Sequence, residues 1–139
     1  MRYASCLLMV AVGFVCTSVT IAQARNRGKP ECYVLADQPT ASLNVPYTPD
    51  PTYSFDAKGG GTIRVLRFAT GSYAVTCTGV GGGPTGVGGN VQITSYGGFG
   101  LFCDVGTWST GGADFSANVY CYGATGFPAD SYFNLLFIH

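Results

Sequence analysis

Apolar and polar residues alternate along most of this chain, and the period is two rather than the helical three to four. Phe115, Ala117, Val119 and Cys121 fall on one side of an extended segment, with Ser116, Asn118, Tyr120 and Tyr122 on the other. Tyr73, Val75 and Cys77 share a row in the same way, as do Leu101, Cys103 and Val105. The pattern predicts strands at 32–36, 62–68, 72–78, 90–96, 100–106, 115–122 and 132–138, and a short one at most at 53–55. Turn residues separate them: Lys58 with the glycines up to Gly61, Ala69-Thr70-Gly71, Gly97-Gly98, and the stretch 123–130 (GATGFPAD). Residues 37–51 carry Pro39, Pro46, Pro49 and Pro51, and proline fixes φ and bars a helix at the residue before it, so this is an extended connector. The longest irregular stretch is 79–89 (GVGGGPTGVGG), and 108–114 reads as a loop rich in Gly, Ser and Thr. Seven or eight short strands with regular turn signals predict an all-β, antiparallel β-sandwich, with a small barrel as the alternative.

The N-terminus follows another rule. Arg2 precedes an uncharged apolar run at 6–15, and Ala22-Gln23-Ala24 offers the small-x-small pattern of a cleavage site. The run is short for a bilayer span of about 20 residues. Residues 1–24 therefore read as a signal peptide cut after Ala24, 25–31 as a flexible tail and 32–139 as one β-sandwich domain. The expected destination is secreted, extracellular or periplasmic, with no membrane partner once the leader is gone.

Export changes the meaning of the cysteines. Cys6 and Cys16 leave with the leader; Cys32, Cys77, Cys103 and Cys121 remain. An even count in a small exported domain reads as two disulfides, and three pairings are open. Cys103–Cys121 with Cys32–Cys77 is preferred, because the first would join neighbouring strands and the second would pin the N-terminal segment to the middle of the sheet. Zinc is a poor alternative: there is no Cys-x-x-Cys, and the single histidine, His139, is the last residue.

The segments Tyr47-Thr48-Pro49, 71–75, 88–97, Cys103 with Trp108, Cys121, 126–131 and 133–137 resemble a Gly-rich, repeat-like all-β module found in secreted or surface proteins of bacteria, itself without an assigned activity. The resemblance implies that Cys103 and Cys121 are the module's usual pair and that Cys32 and Cys77 are an addition. It implies no catalytic or binding residue, and this chain carries one copy.

Charge and site chemistry narrow the function. The mature chain would be near charge minus one, with no basic face to engage nucleic acid or an anionic membrane. The glycine stretch lacks the lysine of a phosphate loop and is interrupted by Pro84. Asp104, Asp114 and Asp130 keep a carboxylate hydrolase formally open but read first as turn-capping or solvated residues. Asp50 and Asp56 have no EF-hand pattern around them to hold calcium. No cofactor is expected. Tyrosines are the remaining hint: Tyr33, Tyr53, Tyr96, Tyr120, Tyr122 and Tyr132 form the candidate binding surface, unless a second sheet packs over them. The expectation is a non-enzymatic module, structural, adhesive or binding a protein or glycan. The alternative is a secreted inhibitor or effector that acts on another protein through a loop such as 79–89.

Overall fold

The computed structural model describes residues 30–58, 60–82 and 88–138. The expected leader, residues 25–29 of the expected tail, residues 83–87 of the glycine stretch and His139 lie outside them.

Eight strands form: β1 (Pro30–Ala36), β2 (Phe55–Asp56), β3 (Ile63–Ala69), β4 (Ser72–Cys77), β5 (Asn90–Tyr96), β6 (Phe102–Ser109), β7 (Phe115–Tyr122) and β8 (Tyr132–Ile138). They make two four-stranded sheets, ordered β2-β1-β8-β5 and β3-β4-β7-β6, with every ladder antiparallel. The sheets do not close on each other, so the sandwich forms and the barrel does not. The alternating rows explain why. Cys32, Val34 and Ala36 of β1 and Phe133, Leu135 and Phe137 of β8 are buried from one side. Tyr73, Val75 and Cys77 of β4 and Phe115, Ala117, Val119 and Cys121 of β7 are buried from the other. Phe115 stacks on Phe137 with ring centroids 4.3 Å apart, and Tyr73 meets Phe133 edge-on at 5.3 Å. Each such ring contributes about 1.5–3 kcal/mol by leaving water.

Both disulfides take the preferred pairing. Cys103 and Cys121 are directly opposed on β6 and β7, and Cys32–Cys77 ties β1 to β4 across the two sheets. Disulfides of this kind persist in oxidising compartments. No helix among the described residues is long and apolar enough to cross a membrane.

β1 begins at Pro30, inside the expected tail 25–31, and β2 covers Phe55–Asp56 rather than 53–55; the largest difference from the sequence expectation is in β6. Trp108, placed in a loop, lies in β6 opposite Ala117, with its ring 6.2 Å from that of Phe137. The register of β6 shifts between Val105 and Thr107, so Gly106 is the extra residue of a bulge. The bulge reverses the phase of the alternation, which therefore looks like the end of the strand. Glycine is required there: a Cβ on Gly106 would collide with the Tyr120 ring lying over it.

Candidate functional site

The densest polar cluster sits where the β3–β4 turn meets the approach to β8. The Asp130 carboxylate accepts from Arg67 Nε at 3.0 Å and Nη2 at 2.6 Å, and from the Gly71 amide at 2.8 Å. The Tyr73 hydroxyl lies 3.0 Å from Asp130 and 2.9 Å from the Pro39 carbonyl, so its one proton serves either, and it accepts from the Ser131 amide at 3.3 Å. Arg67 Nη1 also donates to the Ala41 carbonyl. Arg67 and Asp130 are 14% and 18% exposed. Burial pushes the Asp130 carboxyl up, but the hydrogen bonds from Arg67, Gly71 and Tyr73 outweigh it and hold the group below the usual carboxylate range. Burial pushes the Tyr73 phenol far up, and Asp130 beside it adds to that. Gly71 has a positive φ, and a Cβ there would meet the Cys121 carbonyl and the Ala129 backbone. The cluster therefore fastens the connector, one hairpin turn and the 123–131 segment together, and its groups are spent on one another.

The other acids lie apart from this cluster. Asp114 accepts from the Gly79 amide at 2.9 Å, and Asp104 stands exposed on the outer face of β6. Asp50 accepts from the Thr52 amide at 2.8 Å, and hydrogen bonds from Thr52 lower its carboxyl. Asp56 accepts from the Lys58 amide at 2.8 Å, while its other oxygen is buried without a protein partner beside an open depression of about 340 Å³ bordered by Pro49, Pro51, Phe55 and Ile63. No group of three or more His, Cys, Asp or Glu side chains among the described residues is placed to hold a metal. The Tyr47 phenol is pushed up to about 12, mainly by burial, with Asp37 adding to it.

The six tyrosines divide between surfaces. Tyr33, Tyr96 and Tyr132 lie on the outer face of the β2-β1-β8-β5 sheet. Tyr120 and Tyr122 lie on the outer face of the other sheet, and Tyr53 is in the exposed loop before β2. The second sheet packs against the cysteine and valine rows, so it covers none of these outer faces. Tyr33 donates to Asn134 Oδ1 at 2.9 Å, and Tyr96 pairs across the ladder with Tyr132, their rings edge-on at 6.4 Å. Thr94 is opposite Asn134, and Gln92 opposite Leu136, on the same face. On the other sheet Tyr122 stacks on Phe102 at 5.3 Å, and Tyr120 meets Phe68 edge-on at 6.5 Å.

The tyrosine reading missed two phenylalanines. Phe99, in the β5–β6 turn, is fully exposed, and Phe127, in the β7–β8 turn, is 74% exposed. The two turns touch, since a Cβ on Gly100 would lie 2.7 Å from that of Ala124. A phenylalanine flanked by glycines in a turn was the available signal, because no strand row was there to bury it. No family model matches the chain, and no curated protein or solved structure matches it either.

Proposed function

We propose that this chain is a secreted, non-enzymatic β-module, structural or adhesive, that holds a protein or carbohydrate against an aromatic outer surface. The observation that carries the reading is the outer face of the β2-β1-β8-β5 sheet. It gathers Tyr33, Tyr96 and Tyr132 with Gln92, Thr94, Asn134 and Leu136 between them. Tyrosines offer large contact area at low entropic cost, and each keeps a polar tip for a partner. The leader at 1–24 and the two disulfides support an extracellular or periplasmic destination. Of the three candidate hydrolase carboxylates, Asp130 is held by Arg67 and Gly71, Asp114 accepts from Gly79, and Asp104 stands exposed on the outer face of β6. A glycan array probed with the mature, disulfide-bonded chain tests the reading. Binding that Tyr96→Ala weakens is expected; binding indifferent to all three face tyrosines would refute this choice of surface.

Phe99 and Phe127 favour a second reading, an effector that contacts another protein through its loops. The contact would then run through the touching 97–101 and 123–131 turns. Loss of a protein partner in Phe99→Ala with Phe127→Ala, and its retention in Tyr96→Ala, would select this reading.

A further inference from the structure

We infer that β5 is a pairing edge for a second copy of this chain: two β5 strands join antiparallel about a two-fold axis at Ile93 and merge the β2-β1-β8-β5 sheets of the two copies into one. The inference does not depend on the adhesive reading above.

Each sheet of an open sandwich ends in two edge strands, and an edge carries a row of backbone N–H and C=O groups that only water or another strand can satisfy. Three of the four edges are blunted here. β2 is two residues long. β3 is covered by the connector: Tyr47 and Val65 exchange amide-to-carbonyl bonds of 2.9 Å each, and the Asn44 amide donates to the Arg67 carbonyl at 2.8 Å. β6 is broken by the bulge at Gly106. β5 has none of these devices. Its seven residues keep one unshifted register with β8, from Asn90 opposite Ile138 to Tyr96 opposite Tyr132, and they include no proline, glycine or charge. Among the described residues its other edge pairs with no strand or bridge.

The packing beneath β5 is unfinished on the same side. Ile63 and Val65, inward on the covered edge strand β3, are 7% and 0% exposed. Val91 and Ile93, inward on β5, pack against the core yet stay only half-buried. The occupant that fits this flank brings an extended backbone for the edge and side chains at every second residue to cover the core. Those two demands together describe a protein strand, not a glycan or a lipid.

β5 of a second copy meets both. A two-fold axis at Ile93 sets Asn90 opposite Tyr96, Val91 opposite Ser95, Gln92 opposite Thr94 and Ile93 opposite itself. Inward residues meet inward residues, so the two cores continue into each other. Whichever alternate set of β5 residues aims its backbone at the free edge, the axis maps that set onto itself, and roughly six to eight backbone bonds form. A strand that pairs with its own copy repeats every charge across the axis, and β5 has none to repeat. The contact is isologous and consumes the edge in both copies, so it closes at two chains.

Sedimentation velocity of the mature, oxidised chain from about 1 µM to 1 mM tests this. A two-chain species is expected to dominate at the upper end. Gln92 and Thr94 are exposed, so lysine at both leaves the fold intact, checked by circular dichroism and the retained disulfides, while setting like charges opposite each other across the axis. Gln92→Lys with Thr94→Lys should raise the dissociation constant about a hundredfold or more. Gln92→Glu with Thr94→Glu should do the same. An equimolar mixture of the two double variants should restore the two-chain species, which misfolded chains could not do. Hydrogen exchange should show β5 amides gaining protection as concentration rises. A two-chain species indifferent to both double variants, no recovery in the mixture, or assemblies that grow beyond two chains overturns the inference. So does a chain that stays monomeric throughout: β5 amides protected at every dilution would then assign the edge to a segment of the same chain, and unprotected ones to a strand of another protein.

Discussion

Replacing Asp130 with asparagine keeps the side chain's shape and removes its charge. Asparagine retains one oxygen for the Gly71 amide or the Tyr73 hydroxyl, but it turns an NH2 group toward the guanidinium that now donates two bonds to the carboxylate. Exposed ion pairs are worth at most about 1 kcal/mol, whereas breaking a fully buried one costs roughly 3–5. At 18% exposure Asp130 falls between these limits. Its four hydrogen bonds place it nearer the upper one, so D130N should lose about 2–3 kcal/mol. For a domain of this size that is roughly 10–15 °C in Tm.

The pH dependence gives the sharper check. The folded carboxyl lies below its usual range, so its contribution is fully present above the unfolded pKa of about 3.9 and is lost as pH falls through the lower folded value. Thermal unfolding followed by circular dichroism from neutral pH into acid should therefore show a wide gap between wild type and D130N at neutral pH. That gap should close below about pH 4. A neutral-pH gap under about 1 kcal/mol, or one that persists unchanged in acid, would refute the assignment of the cluster as the fastening of this end of the sandwich.

Other expectations follow from packing and covalent links. Intact mass under non-reducing conditions should show a chain beginning at Arg25 and lighter by four hydrogens than its reduced form, since two disulfides are present. On the loop-entropy relation, closing 45 residues is worth about 4 kcal/mol and closing 18 about 3. Denaturant unfolding of Cys32→Ser with Cys77→Ser should accordingly show a larger loss than Cys103→Ser with Cys121→Ser. Gly106→Val drives a side chain into the Tyr120 ring and should cost about 1–3 kcal/mol by the same measurement. Phe99→Ala should leave Tm unchanged, because the ring is fully exposed.

The fold was legible wherever the period-two pattern ran without interruption. β7 and β8 carry unbroken rows, Phe115 to Cys121 and Phe133 to Phe137, and both appear with the predicted bounds. β6 was cut short because a bulge at Gly106 reverses the phase, and a periodic reading cannot follow a strand through an extra residue. The Arg67–Asp130–Tyr73 cluster was invisible for another reason. Asp130 lies 63 residues from Arg67 and 57 from Tyr73, and each alone looks like an ordinary surface or core residue. Strand order governs the tyrosines in the same way: Tyr33 and Tyr96 share one outer face only because β8 inserts between β1 and β5 and joins them in one sheet.

That insertion also bears on where function can reside. Asp130, Arg67 and Tyr73 are consumed in fastening one end of the sandwich. The side chains the fold does not need are the outward rows of a sheet whose central strand, β8, is fully paired on both edges. A fully paired central strand cannot recruit a partner through its backbone, so any contact on this face must be made by side chains. Those on it include Tyr33, Tyr96 and Tyr132, the Gln92 and Asn134 amides, the Thr94 hydroxyl, and Leu35 and Leu136.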